Sequence, residues 1–234
     1  MLLGRPSGKT RGAVAEKPIQ SRQKTNYLST MDIKITFINN SNDQNNSNVV
    51  IFQKNTASDF EETAVAWHVI DDCGPDRSHT FNYPLNFKVG TQDSWGNLSD
   101  LLPAVNGQKW NVVRSTSGDV LTLDSTPASS QNEVEIKNCL GAGSVDAQIY
   151  KEGKLLAQKT GIAPQQKAVF QFKPTIWVGV VSDIAQGEVM NSAILSKIHT
   201  EIPLLGITKA NLIMTGGGKG PTAQPFIFTW VPIA

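Results

Sequence analysis

Two histidines, one cysteine and three aspartates fall within a dozen positions of this chain, at His68, Asp71, Asp72, Cys73, Asp76 and His79. All are residue types that ligate metals. Zinc takes four ligands at short fixed spacings, and a His-x4-Cys-x5-His order matches none of its strong patterns. Non-haem iron oxygenases use two histidines and one carboxylate, for which His68, His79 and either Glu61 or Glu62 are the local candidates. A metal-dependent enzyme holding iron or zinc through His68, His79 and Cys73 is the chemistry this stretch offers. Turn formation is the weightier reading, because Asp71 to Pro75 is rich in the residues that turns require. Alternation then puts Val65, Trp67 and Val69 on one strand face, with His68 beside Ala66 on the other, and His79 opens the return strand.

Other chemistries find less support. The third histidine, His199, is expected on the wet face of a strand over Lys197 to Ile202, beside Glu201. No Gly-x-Ser-x-Gly elbow exists, and Gly141-Ala-Gly-Ser144 has no partner for nucleophilic catalysis. Thr215-Gly-Gly-Gly-Lys-Gly-Pro-Thr222 has glycines and a lysine but the wrong order for a phosphate loop, since a strand rather than a helix follows. It reads as an inter-strand loop whose glycines let backbone approach a partner or ligand. Five tryptophans remain, at 67, 95, 110, 177 and 230. Trp67 and Trp177 fall on apolar faces and belong to a core. Trp95 lies in a polar turn, Gln92-Asp-Ser-Trp-Gly-Asn97, where it either caps the end of the fold or, with Asp93 and Asn97, forms a ligand or partner surface.

The elements that must position these residues are strands. From Met31 onward, runs of five to eight residues alternate polar and apolar side chains and are separated by turn formers. Glu133 to Lys137, Leu85 to Val89 and Lys167 to Lys173 each have one wet and one dry face. Ala147 to Lys159 is a hairpin turning at Glu152-Gly153. Thr175 to Val181 is apolar on both faces and so belongs in the middle of a core. The reading is all-β: an antiparallel β-sandwich, or a distorted barrel, of about a dozen short strands. Helical spacing is confined to Gly187 to Lys197, enough for one or two turns. The polar Asn39 to Asn48 run reads as an exposed loop.

The chain has 234 residues, long enough for one sizeable core. Residues 1–30 carry six basic side chains against one acid, a charge of +5, and the remaining 204 carry 15 basic and 19 acidic ones, a charge of −4. Residues 1–30 read as a disordered basic extension and 31–234 as a single domain. A mildly acidic body is not a phosphate-backbone binder, so no nucleic acid is expected. No window approaches the roughly 18 apolar residues of a membrane span. With no secretory signal, cytoplasmic residence is the default, export without a signal being the alternative, and Cys73 and Cys139 are expected as reduced thiols.

Several segments together carry a resemblance: Asn48 to Lys54, Ala66 to Ile70, Ile149 to Leu156, Phe172 to Trp177 and Met214 to Gly218. They resemble an uncharacterised microbial β-rich family, some of whose members are labelled automatically as aromatic ring-opening dioxygenases. The likeness covers most of residues 33 to 231 and brings no established activity with it.

The residues point first to a non-enzymatic binding or self-assembling protein without a cofactor. The metal enzyme centred on His68 and His79 is the alternative, and a membrane-active or host-directed toxin is the third class. Weak self-repulsion and long uncharged runs predict a homo-oligomer. Its contact is expected at the C-terminal strand, Phe226 to Val231, whose two faces are both apolar.

Overall fold

The computed structural model describes residues 32–45, 47–57 and 64–233, so the basic extension at residues 1–30 and the acids Glu61 and Glu62 lie outside the described residues. The chain is all-β. Among the described residues sixteen strands, numbered in chain order, form four sheets of four, none closed into a barrel.

The first sheet runs β16 (Gln224–Pro232), β15 (Lys209–Gly217), β1 (Ile33–Asn39), β4 (Arg77–Tyr83). The second runs β14 (Thr200–Pro203), β13 (Thr175–Val181), β2 (Asn48–Phe52), β3 (His68–Ile70). A third contains β11 (Lys154–Ile162), β10 (Val145–Lys151), β5 (Phe87–Asp93) and β6 (Leu102–Ala104). The fourth contains β12 (Lys167–Phe170), β9 (Val134–Asn138), β7 (Lys109–Ser115) and β8 (Gly118–Leu123). Pairing is antiparallel except between β1 and β15 and between β7 and β9.

All four sheets feed one apolar cluster, with Phe37 and Leu212 from the first, Ile51 and Ile176 from the second, Ile149 from the third and Phe170 from the fourth. The double-faced apolar pattern of β13 has a direct structural counterpart. Ile176 and Val178 enter the main cluster, while Trp177 and Val181 pack against a second cluster with Val50, Phe52 and Ile198. Gly179 makes room for that second layer, because a Cβ there would lie 2.6 Å from Ile198. The layer includes a short helix, α1 (Ser192–Leu195), capped by Asn191, whose Oδ1 accepts from Ile194 N at 3.0 Å.

The hairpin of β10 and β11 pairs Lys151 with Lys154 across a two-residue turn, in which Glu152 and Gly153 have φ of 52° and 72°. Two successive positive φ values mark a type I′ turn, whose twist suits a hairpin. Among the described residues no helix is long and apolar enough to cross a membrane.

Two expectations need correction. The asparagine-rich run is not uniformly exposed: Asn39, Ser41 and Asp43 are buried. Asn39 donates to Cys73 O and accepts from Ser41 N at 3.0 Å, and Asp43 accepts from Asn45 N and Ser47 N, so the loop satisfies its own polar groups. Its backbone pairs with the glycine-rich segment, Asn42 N donating to Gly216 O at 2.8 Å and Gly218 N to Asn42 O at 3.1 Å. The glycines thus admit this chain's own loop.

Candidate functional site

The strand expected from Ala64 to Ile70 is regular only from His68, and this moves His68 to another face. Ala66 and Val69 pack with the second cluster, whereas Trp67 and Ile70 belong to the main one. Since β3 pairs His68 with Ile51 of β2, His68 shares the main-core side with Trp67 rather than opposing it. Alternation fails because residues 64–67 make only isolated bridges, to Ala157 and Val189.

His68 and His79 do come together, with ring centroids 5.7 Å apart, and His68 also lies against Phe81 at 4.6 Å. They line a groove of about 540 Å³ with Lys34, Glu152 and Lys154. The hairpin turn delivers Lys154, whose Nζ is 2.7 Å from His68 Nδ1 and 3.5 Å from Glu152 Oε2. An ammonium only donates, so Nδ1 accepts and the imidazole is neutral with its proton on Nε2. Burial first, then the positive Lys154 and the neighbouring His79, pull the His68 pKa down to about 4. Nδ1 is thereby occupied by a cation's donor, a poor arrangement for a metal ligand. Among the described residues no three His, Cys, Asp or Glu side chains converge to hold an ion, so Cys73 does not join the two histidines. Cys73 and Cys139 are both free thiols.

Trp95 is not a cap on the end of the fold: it is 88% exposed. The turn after β5 explains why. Asp93 Oδ1 accepts from Trp95 N at 2.8 Å and from Asn97 N at 2.9 Å, while Asn97 Nδ2 donates to Asp93 Oδ2 at 2.8 Å. Asp93 and Asn97 are therefore spent on the turn that projects the indole outward, with exposed Leu98 nearby in sequence.

The C-terminal strand lies where expected, at the edge of the first sheet. Phe226, Phe228 and Trp230 pack partly on the main core, and Ile227, Thr229 and Val231 face outward. Ile233 N donates to Lys209 O at 2.9 Å, which fixes the strand's phase. Thr229 and Val231 accordingly turn their backbone groups toward β15, and Phe228 and Trp230 turn theirs to the open edge. No charged residue interrupts β16. The sheet's other edge, β4, differs: Arg77 and His79 stand on it, and Glu152 and Lys154 line the same groove as its residues 79–82.

Several polar residues that the alternation pattern does not mark as buried lie inside, among them Glu135 on a face expected to be wet, Lys151 and Gln53. Lys151 is in phase with Val145, Ala147 and Ile149 on β10, and Gln53 follows Val49 and Ile51 in phase on β2. A polar side chain in register with core positions is the signal that would have found both. They line a cavity of about 760 Å³ between the start of β1, the end of β4 and the loop from β14 to β15.

No known protein family matches the chain, and neither a curated protein nor a solved structure is similar to it.

Proposed function

We propose that the protein acts through its surface, as a non-enzymatic self-associating binding protein, and that two copies meet along β16. The observation that carries this reading is the asymmetry of the first sheet. Its β4 edge carries Arg77 and His79 and shares a groove with Glu152 and Lys154 of the β10–β11 hairpin, whereas β16 is a nine-residue uncharged edge. Edge strands without charge or a covering element are templates for further pairing.

A two-fold antiparallel pairing centred on Thr229 fits the phase of the strand. Phe228 of one copy would exchange both backbone hydrogen bonds with Trp230 of the other, twice by symmetry. On the outer face Thr229 would meet its own copy and Ile227 would meet Val231, pairs that favour sheet contact. Light scattering at micromolar concentration tests the reading. The wild-type protein is expected at twice the monomer mass and the Thr229→Lys variant at the monomer mass, because two ammonium groups would face each other on the axis. Thr229 is exposed, so the variant keeps its fold. A monomeric wild type, or a dimer indifferent to Thr229→Lys, rejects the proposal.

A further inference from the structure

The cavity that holds Lys151 and Gln53 combines apolar walls with buried polar groups, and it is independent of the β16 edge. Tyr83, Phe87, Phe172, Leu204 and Ile207 supply apolar wall, Asn106, Asn132 and Gln171 add neutral polar lining, and exposed Leu85 and Leu205 stand at its rim. At about 760 Å³ it falls within the range of small-molecule sites, which pair apolar walls with a few convergent polar groups.

Those polar groups have a definite sign. Two lysines, Lys151 and Lys173, line the cavity and no acid does. Lys151 is 5% exposed, and its Nζ donates to Pro84 O at 2.7 Å and rests 4.2 Å from the Tyr83 ring centroid. Among the described residues it has no ion pair, so a buried ammonium stands with one hydrogen bond and a ring face as its compensation. Desolvation accordingly holds its pKa down, at about 7, with Asp32 the acid that opposes the shift. A buried cation site lined without a carboxylate is complementary to an anion.

Gln53 adds a second, independent mark. It is 3% exposed, and its Nε2 donates to Lys173 O at 3.0 Å and to Thr175 O at 2.8 Å. Both amide hydrogens are thereby used, which fixes the amide's orientation. Its Oε1 is buried without a partner among the described residues. An unmet buried acceptor is destabilising, and a ligand bearing a donor would relieve that cost.

We infer that this cavity binds one amphipathic carboxylic acid, its carboxylate on Lys151, a hydroxyl or N–H near its head donating to Gln53, and its apolar body against Phe87, Phe172 and Ile207. The hydrocarbon supplies most of the burial, and the two polar points set orientation. Lys173 at the mouth adds attraction for the approaching anion.

Titration calorimetry with 3-hydroxydecanoate tests the inference, with 1-decanol as the probe that keeps the chain and lacks the carboxylate. One hydroxy acid per chain is expected, with decanol weaker by roughly tenfold or more, as the loss of a charge-assisted hydrogen bond requires. Lys151→Met should remove that preference, leaving the two probes within about threefold of each other, because each then keeps only a hydroxyl to offer Gln53 and a tail to bury. Should that variant fail to fold, Leu205→Asp provides the check, since Leu205 is 81% exposed and an acid at the mouth repels the carboxylate but not the alcohol. Absence of binding by both probes overturns the site. Equal binding of acid and alcohol by the wild type overturns the assignment to Lys151.

Discussion

The Lys154 ammonium donates to Nδ1 of His68 at 2.7 Å, so a residue next to a hairpin turn sets the tautomer of an imidazole on a different sheet. The contact bridges β3 and the β10–β11 hairpin across the groove that β4 also lines, and it keeps His68 uncharged.

Stability should therefore depend on pH in a defined window. His68 has a pKa of about 4 in the folded chain against 6.5 for the free side chain, so between those values the unfolded state binds more protons. By linkage the contribution is fully present above about pH 6.5 and is lost as pH falls toward about 4. Urea unfolding at pH 7.5, 5.5 and 4.5 should show this decline, and His68→Phe, which can stack on Phe81, should flatten it. An unchanged slope in the variant would place the responsible group elsewhere. Nitrogen NMR on the wild type should report the proton on Nε2.

The β10–β11 turn offers a second test. Gly153, at φ 72°, has no atom within 4 Å of a Cβ position, so Gly153→Ala costs backbone strain alone, about 1 kcal/mol. Glu152 already holds φ 52° without being glycine, and Glu152→Asn should recover roughly half of that, because asparagine tolerates this region better. Thermal melts at pH 7.5 of the two single variants and their combination would show whether the strain terms behave as opposite signs on one turn.

How much of this architecture the sequence discloses depends on the distance over which a residue's environment is decided. β13 is legible because apolar side chains on both faces demand two covering layers, and the clusters around Ile176 and Trp177 supply them. The hairpin is legible because Glu152-Gly153 is a local matter of φ. Burial of Asn39 and Asp43 is not, since it rests on Gly216 to Gly218 meeting the loop from the far end of the chain. The parallel pairing of β1 with β15 is hidden for the same reason. At the sites the division is similar: the neighbourhood of His68 and His79 follows from one turn, while the Lys154 contact comes from another sheet. Trp95 stays open between two readings in the sequence, because the fate of its ring hinges on whether Asp93 folds the turn inward or outward.

Trp95 also predicts a spectroscopic result. It is 88% exposed, whereas Trp67 and Trp110 are buried and Trp177 and Trp230 are partly so. Trp95→Phe should remove most of the acrylamide-quenchable emission and shift the remaining spectrum to shorter wavelength. Its melting behaviour should match wild type to within about 0.5 kcal/mol, as for surface changes generally. A larger loss would mean that the ring packs against something and that the turn points inward.

The sharpest steric prediction concerns the bulge between β15 and β16. Gly216 has φ 93°, and a Cβ there would lie 2.1 Å from the carbonyl oxygen of Pro225, a backbone atom that has no rotamer by which to yield. The register shifts at this point, two residues of β16 opposing one of β15. Gly216→Ala must therefore push the start of β16 away or abandon its own backbone conformation, at a cost of about 2–4 kcal/mol from overpacking and left-handed strain together. Gly74→Ala is the control, having no neighbour within 4 Å and no positive φ, and should stay within about 0.5 kcal/mol of wild type. Hydrogen exchange localises the effect: in Gly216→Ala the amides of Ile227 and Thr229, which donate toward β15, should lose protection before those of β1 and β4. Uniform loss across the first sheet would instead mean that β16 unfolds with the whole domain and is no separate edge element.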